Sequence, residues 1–202
     1  IMILVQDLSI ERSNKKIFDN INLSLGSGKI ILLKGKNGSG KTTLLKTIIN
    51  IIEPSSGSIY WKGKPLKKNL YDFYNHVTYI ADKTSSLSKL TVEENINIWK
   101  KIFLSKINKA QIENILNTMK LDYFLNQKVS SLSFGETKKL ELLRLVIENK
   151  KIWILDEPLS NLDEETIDII GKTFADHRSK EGSIIFSSHQ NSEIGISEEI
   201  QL

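Results

Sequence analysis

The run GKNGSGKTTLL, residues 35–45, puts four residues between Gly35 and Gly40 and follows the second glycine with Lys41 and Thr42. Glycines at that spacing let successive backbone N–H groups turn into one concavity, which suits phosphate oxygens. A helix opening at the same point adds its positive N-terminal end. Lys41 is then expected to reach the β- and γ-phosphates of a nucleotide, and Thr42 to offer its hydroxyl to Mg2+. Gly35, Lys36, Asn37, Gly38, Ser39, Gly40, Lys41, Thr42 and Thr43 are the candidate nucleotide-binding residues. The bland alternative is an ordinary glycine-rich turn. It fits less well, because the apolar run IILL (30–33) precedes the loop and Leu44, Leu45, Ile48, Ile49 and Ile52 follow at helical spacing.

Holding a nucleotide is not the same as using it. IWILDE (152–157) carries the chain through four apolar residues to Asp156 and Glu157. In open α/β sheets ligands bind at the C-terminal ends of the strands, which would put this pair beside the glycine loop. Asp156 is expected to hold Mg2+ through its water shell, and Glu157 to orient and deprotonate an attacking water. A polar pair that merely caps a strand is the alternative.

These residues need a frame. MILVQDLSIE (2–11) and KIFDNINLSL (16–25) read as strands, the second alternating at Ile17, Asp19, Ile21, Leu23 and Leu25. SGKIILLKG reads as a short strand buried on both faces, GSIYWKGKPL as a hairpin and HVTYIAD as another strand. Residues 91–126 are helical in pattern, with Thr91 as N-cap, Glu94 three residues on, and Leu90, Ile96, Trp99 and Phe103 as the apolar face. KIWILDEP is a buried strand ended by Pro158, followed by a helix over 164–180 and the strand SIIFSS. Strands alternating with helices predict an α/β fold around a mostly parallel sheet, with the helical middle inserted into it. No internal repeat or low-complexity tract interrupts this.

With 202 residues, of which 40% are hydrophobic, one domain with a sizeable core is expected. Cysteine is absent, which excludes a disulfide framework and a thiolate metal site and agrees with a reducing compartment. The net charge of +4 is spread among interspersed acids and bases, so the lysine-rich KGKPLKK (62–68) reads as a solvated loop, not a nucleic-acid patch. No apolar run approaches the ~18 residues that span a bilayer. IMILVQDLSI leads straight into polar sequence, so no signal peptide is expected, and Ile1 before Met2 is an unusual natural start. Any membrane role is expected to be borrowed from partners.

Between the two motifs lies LSFGE (132–136), which resembles the LSGGQ signature of ATP-binding cassette ATPases. PLSNLD (158–163) is similar to that family's D-loop, and SSHQ (187–190) sets His189 at its switch histidine. Five motifs in the family's order cover essentially the whole chain. The resemblance implies a P-loop NTPase core (about 1–84 and 151–202), an N-terminal antiparallel β subdomain and a helical subdomain (about 85–150) bearing the signature, all within one domain. It also implies a head-to-tail homodimer that encloses two ATP molecules. Ser133 and Gly135 of one subunit, with Phe134 and Glu136 beside them, would serve the γ-phosphate held by the other's P-loop. The signature would open a helix over 134–148 whose positive end points at that phosphate. Glu157 and His189 would be the catalytic residues.

Four positions depart from the family pattern. Arg12 stands where an aromatic usually stacks on adenine; a guanidinium plane can also stack on a base, so Arg12 joins the expected ATP-binding residues. Asp82 replaces the glutamine of the coupling loop, and its carboxylate could still touch Mg2+ or its water, which makes Asp82 a candidate metal residue with Thr42 and Asp156. Phe134 and Glu136 replace a glycine and a glutamine, and Phe134 could crowd the nucleotide and slow turnover. With Lys41, Thr42, Asp156, Glu157 and His189 all present, subfamily drift explains these departures better than a dead enzyme.

Trp153 in WILDEP, the SHQ of His189 and Gln190, Arg12 and the missing coupling-loop glutamine together resemble the ATPase of the heme-exporter complex of cytochrome c biogenesis. The stretch after His189 is short and no regulatory C-terminal domain is expected, which fits that group. Trp153 has a physical task in any case, as a core residue on a buried strand. The resemblance implies an ATP hydrolase using ATP and Mg2+, docked on integral membrane subunits through a groove around 86–103, peripheral on the cytoplasmic face of the inner membrane, with no nucleic-acid partner. Its power would release or hand over heme rather than necessarily pump it. Three alternatives stay open: the ATPase of another small transporter, a soluble cassette ATPase acting on ribosomes or DNA, and a nucleotide-dependent scaffold without turnover.

Overall fold

The computed structural model describes residues 2–189 and 194–202; Ile1 and Gln190, the last residue of the SSHQ motif, lie outside them. Two sheets share the core. An antiparallel sheet of order β2-β1-β4-β5 comprises β1 (Ile3–Arg12), β2 (Lys15–Leu25), β4 (Ser56–Trp61) and the two-residue β5 (Lys64–Pro65). A parallel sheet of order β6-β7-β8-β3-β9 comprises β3 (Ile30–Lys34), β6 (Val77–Ile80), β7 (Ile152–Leu155), β8 (Ser183–Ser188) and β9 (Glu198–Gln201). Helices α1 (Lys41–Ile48), α2 (Leu70–His76), α3 (Val92–Ile102), α4 (Lys109–Thr118), α5 (Phe134–Glu148) and α6 (Glu164–Ser179) pack around them. Among the described residues no helix is long and apolar enough to cross a membrane.

The parallel strands β3, β6, β7 and β8 lack alternation because both of their faces are buried, whereas β9 at the sheet edge is mostly exposed. Ile30, Leu32, Trp153, Leu155, Ile184 and Phe186 share one core with residues of α3, α5 and α6. Ile31, Leu33, Ile152, Ile154 and Ile185 share the other with Leu44, Leu45 and Ile48 of α1 and with Ile3, Val5 and Leu8 of β1. Trp153 lies in the first core, 4% exposed, with its ring stacked on His177 at 3.6 Å between centroids.

Several boundaries differ from the expected ones. In β2 the alternation changes parity: Phe18 is buried while Asp19 and Asn20 are exposed, and Leu23 and Leu25 resume the buried face. An irregular register against β1 and a left-handed Asn20 (φ 53°) account for the slip. Helix α1 stops at Ile48, with Asn50 left-handed, so Ile52 packs on the core from beyond the helix. The helical middle is broken: α3 begins with the capping box of Thr91 and Glu94, as expected, but ends before Phe103, and Asn108 with Gln111 caps a separate α4. Helix α2 and strand β9 were not legible in the pattern. Each holds one apolar residue at most in its inward register, Phe73 in α2 and Ile200 in β9.

Candidate functional site

The glycine loop joins β3 to α1. Gly40 caps α1 at φ 106°, a conformation L side chains avoid, and a Cβ there would sit 2.9 Å from Ile17 Cγ2. Lys41 is 6% exposed, and its Nζ donates to Gly35 O at 2.7 Å and to Lys36 O at 3.3 Å. The ammonium is thereby drawn back over the loop, and it also pairs with Glu157 Oε1 at 3.3 Å.

Both carboxylates stand at the C-terminal end of β7. Asp156 is 1% exposed; its Oδ1 accepts from Thr42 Oγ1 at 3.0 Å and from Ser187 Oγ at 2.8 Å. The Glu157 N–H donates to the same Ser187 Oγ at 2.8 Å. Glu157 adopts φ 47°, unusual for a residue with a Cβ. Such strain costs about 1–3 kcal/mol and concentrates at functional sites. It turns the side chain so that one oxygen faces Lys41 while Oε2 lies 3.1 Å from His189 Nδ1. Lys41, Glu157 and His189 therefore form one string, and Thr42, Asp156 and Ser187 another beneath it.

A cavity of about 730 Å3 opens over the loop, lined by Arg12, Lys15, Lys16, Ile17, residues 37–43, Asp82 and Glu157. Four cations and two carboxylates converge there, a balance that favours a polyanionic ligand. The structure thus brings Arg12, from the end of β1, and Asp82, from the loop after β6, to the same cavity as the glycine loop. Lys15, Lys16 and Ser187 were not foreseen. The register Leu155↔Phe186 sets the residues after β7 beside the end of β8, which is how Ser187 meets Asp156.

Two features surround this site. Asp82 pairs with Lys138 Nζ of α5 at 3.4 Å. The Tyr79 hydroxyl is buried without a hydrogen-bond partner among the described residues. Burial first, then the Asp156 and Asp82 carboxylates, push its pKa above the ordinary tyrosine value. It therefore stays a neutral hydroxyl beside these two carboxylates.

The signature residues do not line the cavity. Ser133 is instead the N-cap of α5: its Oγ accepts from the Glu136 N–H at 3.2 Å, and Glu136 Oε2 accepts from the Ser133 N–H at 2.7 Å. This capping box fixes the turn that carries Phe134, which is 56% exposed, and Gly135.

A phosphate-type loop between a parallel strand and a helix, two carboxylates at the next strand end but one, and a signature turn on a separate helical layer define an ATP-binding cassette. Residues 18–160 match the ABC transporter family, and the chain belongs to it as an ABC transporter ATPase domain. Among its relatives, the cytochrome c biogenesis ATP-binding export protein CcmA of Aliivibrio fischeri is 30% identical over 94% of this chain and 93% of its own length. CcmA of Reclinomonas americana is 36% identical over 92% of this chain and 86% of its own. A solved ABC transporter ATP-binding protein from Pyrococcus furiosus superposes with a TM-score of 0.85 at 26% identity, covering 100% of this chain and 98% of that one.

Proposed function

We propose that this chain hydrolyses ATP for an ABC transporter of the heme-export branch of cytochrome c biogenesis, working as a homodimer on integral membrane subunits at the cytoplasmic face of the inner membrane. The observation that carries the ATPase reading is Glu157, held between Lys41 and His189 at the edge of a cationic cavity. The names of the CcmA relatives support the heme branch.

The loop amides of residues 37–42 and Lys41 would neutralise the triphosphate, with Arg12 against the base. Thr42 and Asp156 are hard oxygen donors 3.0 Å apart and suit Mg2+. No cluster of three His, Cys, Asp or Glu among the described residues could hold a metal alone, so phosphate and water oxygens would complete its shell. Bound there, Mg2+ supplies charge neutralisation at the phosphates. Glu157 takes the proton of a water whose oxygen attacks the terminal phosphorus, while the bond to the bridging oxygen breaks and ADP leaves. His189 orients Glu157. Ser133 and Gly135 reach the partner's nucleotide, which agrees with their lying off their own cavity.

The test is steady-state hydrolysis and ATP binding by purified variants. Glu157→Gln is expected to bind ATP as the unmodified chain does while its rate falls about 100-fold or more, the scale of one positioned acid–base group. Lys41→Ala is expected to lose affinity itself. Hydrolysis by Glu157→Gln at the unmodified rate would remove the general-base assignment. The heme branch is tested by purifying the chain with its membrane subunits and asking whether ATP turnover responds to heme; stimulation by some other solute instead would reassign the cargo.

A further inference from the structure

Glu141 lies on α5, five residues beyond the signature, and is 2% exposed. A buried carboxylate is costly unless donors surround it, and one kept only for stability would be replaced at little cost by an apolar residue. Here the donors come almost entirely from one segment, residues 84–86. Thr84 Oγ1 donates at 2.6 Å, the Ser85 N–H at 2.7 Å, the Ser86 N–H at 2.6 Å and Ser86 Oγ at 2.6 Å. Arg144, one turn on, closes the cluster by donating to Ser85 Oγ at 2.8 Å and to Glu141 Oε2 at 3.3 Å. Burial raises the Glu141 pKa, and the Ser86, Thr84 and Ser85 donors with Arg144 more than reverse this, leaving it below the usual carboxylate range.

The segment that Glu141 grips begins two residues after Asp82. One turn earlier on the same helix, Lys138, itself 3% exposed, pairs with Asp82. The loop is thus strapped to α5 at two successive rungs. Leu87, next in the chain, exposes its side chain but is held to the same helical layer through its backbone: its N–H donates to Asn95 Oδ1 of α3 at 2.8 Å, and Asn95 Nδ2 donates to Leu87 O at 3.1 Å. At the N-terminal end of α5, beyond Lys138, stands the capped turn of Ser133.

We propose that Glu141 is a positioning residue for ATP hydrolysis: by fixing residues 84–86 to α5 it makes Asp82, at the mouth of one nucleotide cavity, and Ser133, offered to the partner's, move as one rigid body. The proposal rests on the ATPase reading above. Loss of the Glu141 rung leaves Asp82 held to α5 by the long Lys138 contact at 3.4 Å alone, and so less exactly placed, without touching the glycine loop.

The experiment is a double-mutant cycle in the complete chain, with ATP affinity and kcat measured for the unmodified protein, Glu141→Gln, Asp82→Asn and the double variant. Glu141→Gln is expected to keep ATP affinity within about threefold and to lower kcat between about 10- and 100-fold, the scale of a small misplacement near the chemistry. In the Asp82→Asn background it is expected to cost less than about twofold more, because coupled residues are not additive. Multiplicative effects, or an unchanged kcat, would overturn the proposal. Thr84→Val with Ser85→Ala removes donors from the loop side and is read in the same way if Glu141→Gln does not fold. Amide exchange separates failure of the strap from failure of the ATPase reading. Even in a chain that binds ATP without turnover, the Ser85 and Ser86 amides should exchange in step with α5 and faster in Glu141→Gln; independent exchange rejects the strap.

Discussion

Ser187 joins the two carboxylates with one oxygen. It donates to Asp156 and accepts the Glu157 N–H, both at 2.8 Å. Ser187→Ala therefore leaves a buried carboxylate short of one donor and a strained backbone N–H short of its acceptor. Loss of about 1–3 kcal/mol of stability is expected, as for other orphaned buried groups, measured by urea unfolding, together with a lower kcat at nearly constant ATP affinity. Equal loss of both would mean that the serine supports the whole cavity instead. The residue stands within SSHQ, but in the sequence that motif assigns a role only to His189. Nothing in the spacing says that β8 lies directly beside β7, and only that adjacency gives Ser187 its task. A second expectation at this scale concerns His177, stacked flat on Trp153. Burial outweighs its hydrogen bond to the Lys151 carbonyl and lowers its pKa from 6.5 to about 4. Between those values the unfolded chain binds more protons than the folded one, so this contribution to stability is whole above about pH 6.5 and declines as pH falls toward 4. His177→Phe keeps a ring there and removes the titration. Thermal unfolding from pH 7 to pH 4.5 should show a shallower decline in that variant than in the unmodified chain; parallel curves would contradict the stacking account.

At the scale of elements, α5 is where sequence and structure agree most closely. It spans Phe134–Glu148, as the motif predicts, because the capping box and a long run of good helix formers mark both its start and its course. The N3 residue of that box is Glu136, where the family has glutamine. Its charge suits the positive end of α5 but faces the phosphate that the dimer would bring there. Glu136→Gln keeps a side chain that can cap, gives up about 0.3–1 kcal/mol of charge–dipole stabilisation, and is expected to strengthen ATP-dependent dimerisation. Sedimentation of the pair Glu157→Gln and Glu157→Gln/Glu136→Gln with ATP decides this, and weaker association in the double variant would contradict it. Other elements were less legible for physical reasons. β9 is Glu-Glu-Ile-Gln, polar because it lies on the edge of the sheet, so no periodic signal marks it. α2 has seven residues and buries only Phe73. In β2 the slip near Asn20 defeats a period-2 count, since one irregular residue turns every later side chain to the other face.

At the scale of the whole molecule, the order β7-β8-β3 gathers Asp156, Glu157, Ser187 and the glycine loop at three neighbouring strand ends, although β3 and β8 lie far apart in the chain. The motifs supplied these residues; the sheet order that assembles them rests on long-range pairing that composition cannot encode. The signature turn lies on the helical layer, away from its own cavity, so one copy of the chain holds half of each proposed site. Glu157→Gln is accordingly expected to run as a dimer with ATP and as a monomer without it, while the same variant carrying Ser133→Ala should dimerise less. Indifference of the dimer to Ser133 would contradict the head-to-tail arrangement.

Beyond β3 on that edge, Leu202 N–H donates to Lys34 O at 2.8 Å, and its own carbonyl lies 2.7 Å from where a Gly35 side chain would begin. The final residues thus act as a buttress behind the take-off of the glycine loop, without reaching what the loop grips. Trimming residues 198–202 would strip β3 of its outer neighbour and leave its edge bare. A cut more than 150 positions away along the chain from the loop would then be felt as poorer nucleotide retention, because the chain's last strand is one of the loop's nearest supports.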